Sequence, residues 1–383
     1  CRWFSTAGRE KDSMRSLTIA VDASRTTTIQ RTGTENYALQ LIHAMLALDT
    51  PHQYELYFRD TPPADLFPSH PRVTQHVIPW PRVWTHMRFA AALWRRCPDV
   101  TFVPAHSLPR WFPGPAVVTV HDLGYVYFPD AHLSLSRRYL EWSTRHSVRR
   151  ATRVIVDSLA TARDLAAHYD VSENKIALVY PGVDESLSRV EDPQAWAAVR
   201  ARYHLPERYL LFVGTLQPRK NIARIVQAYA RWCAAQAAPD VGLVLAGPQG
   251  WLYDPGWTKG VAGVVLPGYV DDADVAALYS GALALVFPSL HEGFGFPVLE
   301  AMRCGTPVIT STTSSLPEVA GDAAYLVNAR DVAAISAAME RVVSDEALRA
   351  DLVAKGYAQA KRFTWQRAAE QAVSVLEAAS GKR

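Results

Sequence analysis

The sequence predicts an α/β protein of two Rossmann-like domains, in which helices cover parallel sheets. Short β-branched runs alternate with longer helical patterns along the whole chain. The runs Val117–Val120 and Val154–Val156 have almost no polar alternation, which is typical of strands covered on both faces. With 383 residues, the chain is also longer than one ordinary domain.

The first half alternates strands with helices, as parallel connections require. We expect strands at Leu17–Asp22, Tyr54–Phe58, Val73–Ile78, Val100–Val103, Ala116–Val120, Arg153–Val156 and Lys175–Val179. We expect helices at Thr34–Leu48, Thr85–Arg96, Leu135–Arg150 and Thr161–His168.

The second half repeats this alternation. We expect strands at Tyr209–Val213, Gly242–Ala246, Gly263–Leu266, Ala284–Phe287 and Pro307–Thr310. We expect helices at Asn221–Ala235, Asp272–Ser280, Pro297–Cys304, Asp331–Val342, Asp345–Arg362 and Trp365–Leu376.

A polar, turn-rich stretch, Tyr180–Pro193, separates the two halves. It predicts a first domain over residues 16–190 and a second over residues 191–363. After a kink at Phe363–Thr364, residues 364–383 are expected to form a helix that packs back on the first domain. Ligands of open α/β sheets bind at the carboxyl ends of the strands, so the two sheets should face one deep cleft.

Composition argues against several classes of function. Charged residues make up 20% of the chain and the net charge is only +3, so no strongly basic surface favours nucleic acid. The four cysteines form no CxxC pair, which disfavours a zinc site and fits a reducing, cytoplasmic compartment. The sequence has no apolar run long enough to span a membrane. Residues 1–15 lack the apolar middle of a signal peptide, and we expect Met14 to be the natural start.

The strongest functional signal is HEGFGFPVLEAMRCGTPVIT, His291–Thr310, which follows an apolar strand. Gly293 and Gly295 permit close approach of a ligand beside a helix N-terminus, which favours a diphosphate. Glu292 and Glu300 are separated by seven residues. Ionised carboxylates accept hydrogen bonds from the hydroxyls of sugars and ribose, although acidic residues here can also simply complement the helix dipole.

The string EGFGFPVLE resembles the E-x7-E motif of the family 4 retaining glycosyltransferases, which have the GT-B fold. The resemblance covers nearly the whole chain, from Leu17 to Leu376. It implies that Glu292 contacts the donor sugar and that Glu300 binds the ribose hydroxyls. It also implies that the nucleotide sugar meets the residues between them, Phe294, Gly295, Phe296, Val298 and Leu299.

A cationic turn follows the strand of FVGTLQPRKNIARIV, which ends at Gly214. Arg219 and Lys220 precede a helix that Asn221 can cap, and adjacent cations suit a diphosphate, although a solvated basic turn is the alternative. The resembling family holds the donor phosphates with this loop, and Lys220 aligns with its lysine. Many members have arginine directly after the glycine, where this chain has Thr215, so we expect Arg219 to supply the second cation.

The segment VVTVHDLGYVYFP places His121 and Asp122 at the carboxyl end of a buried strand, where side chains can enter the cleft. Such a histidine, taken alone, is most often a structural hydrogen-bonding group. The family resemblance implies instead that the backbone and ring of His121 lie beside the sugar. Asp122 would then either hold the ring or cap the next turn.

Three weaker signals complete the site. Gly33 opens a helix after the first strand and should lie against the diphosphate from the other side; no GxGxxG accompanies it, which disfavours an NAD enzyme. Tyr269 and Val270 sit where related enzymes hold the nucleotide base. Asp272 and Asp274 spell a DxD metal motif, but we interpret them as an acidic helix start and predict no metal site.

One helix carries many arginines, which usually form a solvated face but can contact an anionic membrane when the acceptor is lipid-linked. They are Arg137, Arg138, Arg145, Arg149 and Arg150. The predicted location is therefore the cytoplasm, with a peripheral site at the inner face of the membrane if the acceptor is a lipid.

These signals predict a metal-independent retaining glycosyltransferase that uses a nucleotide-diphosphate sugar and no further cofactor. Lys220, Arg219 and the helix end at Gly295 would stabilise the departing diphosphate, while Glu292 and His121 orient the sugar. Retention follows from the resemblance alone. A nucleotide-sugar epimerase or a phosphorylase of the same fold, and a non-catalytic sugar-binding partner, are the alternatives.

The run SSLPEVAGDAA, Ser314–Ala324, is similar to mannosyltransferases of bacterial polysaccharide assembly. This similarity makes GDP-mannose the expected donor, and a carbohydrate or a lipid-linked glycan the expected acceptor.

Overall fold

A computed structural model describes most of the chain, namely residues 16–28, 33–67, 69–80, 83–131, 134–235 and 240–381. Met14 and part of the first loop, residues 29–32, lie outside these ranges.

In the described part of the chain, the first sheet has seven parallel strands in the order β3-β2-β1-β4-β5-β6-β7. The strands are β1 (Thr18–Asp22), β2 (Gln53–Phe58), β3 (Val73–Val77), β4 (Val100–Val103), β5 (Ala116–Val120), β6 (Arg153–Val156) and β7 (Ile176–Leu178). Every residue of β4 and β5 is buried, because helices cover both faces of the sheet centre.

The helices around the first sheet are α1 (Gly33–Ala47), α2 (Ala90–Arg96), α3 (Gly124–Tyr127), α4 (Ser134–Arg150) and α5 (Leu159–Tyr169). A turn of π geometry, Thr85–Phe89, leads into α2. The hydroxyl of Ser158 accepts a hydrogen bond from the amide of Thr161 and so caps α5.

The second sheet has six parallel strands among the described residues, in the order β10-β9-β8-β11-β12-β13. The strands are β8 (Arg208–Val213), β9 (Val241–Ala246), β10 (Val264–Gly268), β11 (Ala284–Phe287), β12 (Val308–Ser311) and β13 (Tyr325–Val327). The helices are α6 (Pro193–Tyr203), α7 (Ile222–Ala235), α8 (Asp272–Ser280), α9 (Phe296–Arg303), α10 (Leu316–Ala320), α11 (Val332–Ser344), α12 (Glu346–Ala360) and α13 (Trp365–Ser380). The fold class predicted from the sequence is confirmed.

The sequence prediction missed four elements, α3, α6, α10 and β13. Helix α6 begins directly after the turn-rich stretch, and the Asp192 carboxylate caps it by accepting from the amide of Gln194. The other three have four, five and three residues, too few to show a hydrophobic period.

The last helix, α13, packs on the first sheet although it follows the second one in the chain. Its residues Trp365, Ala372 and Leu376 are buried in the same apolar cluster as Ile19 and Leu41. The two passages of the chain between the sheets meet where this helix begins, because the Val183 amide donates to the carbonyl of Phe363. Gly182 touches the backbone of Trp365 so closely that a Cβ there would lie 2.2 Å from its nitrogen.

We expect Gly182→Ala to destabilise the protein, because its new methyl group would overlap the backbone of Thr364 and Trp365, which cannot rotate away. Overpacking of this kind costs about 1–3 kcal/mol and should lower the melting temperature by several degrees. Gly33→Ala is the matched control, since its Cβ would lie 3.6 Å from the Phe296 ring in ordinary contact. Equal melting temperatures for the two variants would contradict the close backbone contact at Gly182.

Candidate active site

The cationic turn, Arg219 and Lys220, lies between β8 and α7 and points at one carboxylate. The Lys220 ammonium is 2.7 Å from Glu292 Oε1, and the Arg219 guanidinium is 3.0 Å from Glu292 Oε2. Arg219 also donates to the carbonyl of His291. The Glu292 side chain is 6% exposed, so these ion pairs are shielded from water. The structure therefore brings together three of the residues predicted for the site.

Charge balance keeps Glu292 ionised. Burial opposes its ionisation, but the nearby Lys220 and Arg219 outweigh burial and lower the pKa of the carboxyl. Burial lowers the pKa of the Lys220 ammonium, while Glu292 opposes this shift. Glu292 thus depends on the two cations, and each cation depends on Glu292, to remain charged in a shielded place.

Two serines hold the backbone of the Glu292 loop. The amide of Glu292 donates to the Ser314 hydroxyl at 2.9 Å, and the Ser315 hydroxyl lies 3.0 Å from the Glu292 carbonyl and 2.7 Å from that of Phe294. Both serines belong to the SSLPEVAGDAA run, which the sequence interpretation used only for donor choice. Their contacts position the carboxylate before any ligand arrives.

Glu300 is placed on α9, close to the same charges. The Tyr279 hydroxyl donates to Glu300 Oε2 at 2.8 Å, and burial raises the pKa of this carboxyl. Lys220 is near enough to act in the opposite direction. Tyr279 thereby fixes one carboxylate oxygen of Glu300, and the positive charge of Lys220 acts on the same carboxylate.

The other residues of the E-x7-E segment differ in where their side chains lie. Val298 and Leu299 are completely buried in the core of the second sheet, and Phe294 is 4% exposed. These three can meet a nucleotide sugar only through their backbones. Phe296 is half-buried, and its ring lies across the cleft beside Gly33.

His121 follows β5 and is held at both ring nitrogens. Nδ1 is 2.5 Å from Asp157 Oδ2, and Nε2 is 3.0 Å from the Pro104 carbonyl oxygen. Asp122 does not hold the ring, because its Oδ1 accepts from the Gly124 amide and caps the next turn. Burial opposes ionisation of Asp122, but Arg219 at 3.9 Å helps to lower its pKa to about 2.

The two domains touch at this point. A Cβ on Gly293 would lie 2.2 Å from the carbonyl oxygen of His121, so the Glu292 loop rests directly on the end of β5. A cavity of about 230 Å³ opens beside the contact, and Asp122 and Arg219 both line it. A larger groove of about 1010 Å³ lies between α1 and α13, but none of the charged residues of the site lines it.

Further polar contacts hold the cleft closed. The Glu318 carboxylate of the second domain accepts from the Leu159 amide at the N-terminus of α5. His291 lies 3.2 Å from Asp164 of the same helix, and its ring contacts that of Tyr127 in a tilted arrangement at 4.5 Å. The structure therefore represents a closed arrangement of the two domains.

The residues predicted for the nucleotide lie on the second sheet. Gly214 follows β8 and donates its amide to the Ala246 carbonyl, with Thr215 next to it in the loop. Tyr269 is 54% exposed and Val270 is buried, both between β10 and α8.

The DxD pair is a helix start. Asp272 accepts from the Tyr269 hydroxyl, and Asp274 accepts from Arg202 and Tyr203. Across the described ranges, no group of three or more His, Cys, Asp and Glu side chains could hold a metal ion.

The capping role expected for Asn221 is wrong. Its Oδ1 accepts from the Arg224 guanidinium, its Nδ2 donates to the carbonyls of Pro288 and Ala329, and its backbone has a φ of 66°. Asn221 thus ties the cationic turn to the ends of β11 and β13. Asn tolerates this left-handed conformation better than most residues.

Sequence interpretation also overlooked Asp157 and Tyr279. Asp157 directly follows β6, so the rule that found His121 at the end of β5 also applies to it. Tyr279 lies inside α8, and no sequence signal connects it with Glu300.

Two parallel sheets that face each other, with cations and carboxylates at their carboxyl ends, have the architecture of the GT-B fold. Residues 31–187 match the family described as Glycosyltransferase Family 4, and residues 200–359 match the one described as Glycosyl transferases group 1. The chain is 34% identical over 282 residues to O-antigen chain mannosyltransferase B of Escherichia coli, which covers 72% of each chain. The protein belongs to family 4 of the glycosyltransferases.

Two solved structures share the fold. Sucrose-phosphate synthase from Thermosynechococcus elongatus superposes with a TM-score of 0.72 at 24% identity, over 94% of this chain and 98% of that one. Anabaena HepE in complex with UDP-glucose superposes with a TM-score of 0.70 at 16% identity, over 94% and 100% of the two chains.

We expect Glu292→Gln to destabilise the second domain, because it leaves two shielded cations without the negative charge that balances them. Breaking a buried ion pair from one side costs about 3–5 kcal/mol, which scanning calorimetry would detect. The pKa of Glu292 is lowered, so its stabilisation is complete above the ordinary carboxyl pKa and is lost as the pH falls through the lowered value. The difference from wild type should therefore shrink on acidification.

The control for this variant is Glu207→Gln, on the exposed surface of the same domain. It should melt like the wild type. A Glu292→Gln protein that melts with the control at neutral pH would show that the ion pairs contribute nothing.

Proposed function

We propose that this protein transfers a hexose, with mannose favoured, from GDP-mannose to a glycan or lipid-linked acceptor, with retention and without a metal ion. The observation that carries the proposal is the convergence of Arg219, Lys220 and Glu292 on the end of β5 at His121. The likeness to O-antigen chain mannosyltransferase B supports mannose as the sugar.

The diphosphate of the donor takes the place of Glu292 beside the two cations. Arg219 and Lys220 then face the phosphates, and the released carboxylate accepts hydrogen bonds from sugar hydroxyls. As the bond to the leaving diphosphate breaks, negative charge grows on its oxygens, and each preorganised contact contributes about 2–4 kcal/mol. The N-terminus of α9 after Gly295 adds its dipole to the same field.

Two cations of the chain supply the positive charge that a metal ion supplies in other transferases, which supports metal independence. Glu300 is proposed to bind the ribose, because Tyr279 occupies only one of its carboxylate oxygens. Tyr269 and Val270 would border the base, with Gly214 and Thr215 below the phosphates and Gly33 on the opposite wall.

Retention is proposed to proceed on one face of the sugar. The bond between the anomeric carbon and the phosphate oxygen breaks, the acceptor oxygen bonds to the same face, and the leaving phosphate takes the acceptor proton.

We propose a cytoplasmic location in which a surface of the first domain contacts an anionic membrane. In the part of the chain that the structure describes, none of the helices combines the length and hydropathy needed to cross a bilayer. Of the α4 arginines, Arg137 pairs with Glu141, while Arg145 and Arg150 lie over the rings of Tyr169 and Phe112. The arginine helix is therefore partly engaged with its own domain.

The more suitable surface is aromatic, and we call it the aromatic surface. It consists of exposed side chains from neighbouring segments, Trp80, Met87, Trp94, Trp111, Tyr139 and Trp142. Arg88 and Arg110 lie over the rings of Trp80 and Trp111, and His86 links the segments by ring contacts with Tyr139 and Trp142. Exposed Trp and Tyr beside arginine match the interface of an anionic bilayer. Helix α4, which carries Tyr139 and Trp142, also carries Leu140 at the cleft cavity. A lipid-linked acceptor would therefore reach the site from this side.

A donor panel tests the proposed reaction. The protein with EDTA is incubated with GDP-mannose, other nucleotide sugars and a lipid-linked or free glycan, and products are identified by mass spectrometry. GDP-mannose should yield a mannosylated acceptor and GDP, and Lys220→Met should lose most of this activity. Change of the nucleotide sugar without acceptor, dependence on inorganic phosphate, or binding without turnover would indicate the epimerase, the phosphorylase or the non-catalytic partner instead.

Binding can be measured in the same panel by thermal shift, since a ligand at 100 times its Kd adds roughly 2.7 kcal/mol of stability. GDP should stabilise Glu292→Gln more than wild type, because it replaces the missing negative charge beside Arg219 and Lys220. Equal or smaller stabilisation of the variant would contradict the exchange of carboxylate for diphosphate.

Membrane contact is tested by flotation with vesicles. Wild type should bind phosphatidylglycerol vesicles more tightly than phosphatidylcholine vesicles, and less tightly at high salt. The double variant Trp111→Ala, Trp142→Ala should lose at least about tenfold in partitioning, because it removes two interfacial anchors. The matched control, Leu252→Ala with Leu326→Ala, removes exposed apolar side chains of the second domain and should bind as wild type does. Equal binding by both double variants would exclude the aromatic surface as the contact.

A further inference from the structure

His121 is surrounded by groups that only accept hydrogen bonds. The Pro104 carbonyl lies 3.0 Å from Nε2 and has no proton to give, so Nε2 carries one. The Asp157 carboxyl lies 2.5 Å from Nδ1 and shares the second proton with that nitrogen. With Asp157 ionised, the two contacts together favour a ring protonated on both sides.

Asp157 is committed to this ring. It is 2% exposed, and its second oxygen, Oδ1, is buried without a hydrogen-bond partner among the described residues. Across the same ranges, its ion pair is with His121 alone. Burial by itself would lower the pKa of His121, but the charge of Asp157 outweighs burial and raises it.

Neighbouring elements leave the ring no room to turn. Tyr37 of α1 meets it edge-on at 4.6 Å, and the ring of His106 is 6.0 Å away. Burial and the charge of His121 lower the pKa of His106, so the two histidines do not share the positive charge. Thr161 donates to the backbone carbonyl of His121, and Asp122 follows it in the chain with its own partners.

We infer that Asp157 is a positioning residue that keeps His121 as a fixed imidazolium on the first-domain wall of the cleft. Neither ring nitrogen is open to exchange a proton with substrate, so His121 contributes charge and shape rather than acid–base catalysis. Asp157 partly balances its charge, and the remainder adds to that of Arg219 and Lys220 around the departing diphosphate. The catalytic part of this inference rests on the proposed function, but the state of the ring does not.

Nitrogen NMR of the histidine-labelled full chain tests the state of the ring directly, with His121→Gln to assign the signal. Wild type should show both ring nitrogens protonated at pH 7.5, with titration only at higher pH. A neutral ring at pH 7 would overturn the inference. Because this measurement uses wild-type protein, it decides the question even if Asp157 variants fail to fold, and it does not require transferase activity.

Asp157→Asn tests the positioning role. Without the carboxylate, burial should make His121 lose its proton at lower pH, and the alkaline fall of kcat/KM should move with it by about one pH unit or more. At pH values above the pKa of His121, lowering this pKa by one unit reduces the charged fraction of the ring about tenfold, and kcat/KM falls with it. Asp157→Glu should restore the position of the fall, at least in part.

Asp164→Asn is the matched control, since Asp164, on α5, also pairs with a histidine, His291. It should leave the His121 titration in place. A loss of activity that is equal at all pH values in Asp157→Asn, or an unmoved His121 titration, would overturn the positioning role. Absence of transfer by wild type at any pH would instead refute the proposed function and leave the NMR result to stand.

Discussion

The buried carboxylate of Glu292 is the group on which the arrangement of the site depends. Arg219 and Lys220 would repel each other in a place with little water, and they stay together because both donate to it. Ser314 and Ser315 anchor the backbone that carries this carboxylate. The cationic turn, the Glu292 loop and the end of β5 therefore form one charge-balanced unit, whose balance an anionic ligand would change.

The two domains are joined by contacts of opposite character. At the junction near Gly182, the chain crossings and α13 pack through backbone contact and an apolar core. At the mouth of the cleft, the contacts are polar, from Glu318 to the start of α5 and from His291 to Asp164. Polar contacts can be exchanged for water at small net cost, whereas separating the apolar junction exposes its surface. This difference favours opening at the mouth and rotation about the junction.

Sequence reasoning reached the site through one rule, that side chains after parallel strands meet at one edge. The rule located His121, Lys220 and Glu292, and it would have located Asp157 had it been applied to β6. The family resemblance, rather than this rule, grouped Val298 and Leu299 with the site, because they share a motif with Glu292. The helical period instead directs their side chains into the core, so only their backbones remain available.

The sequence by itself determined the α/β class, the order of most elements and the ends of the strands it predicted to within two residues, because these follow from local periodicity and turn chemistry. Only the tertiary structure decided that Asp157 rather than Asp122 holds His121, that Tyr279 holds Glu300, and that Asn221 ties three segments together. Each of these contacts joins segments distant in the chain, and their pairing depends on how whole sheets and helices pack. Local sequence patterns do not specify that packing.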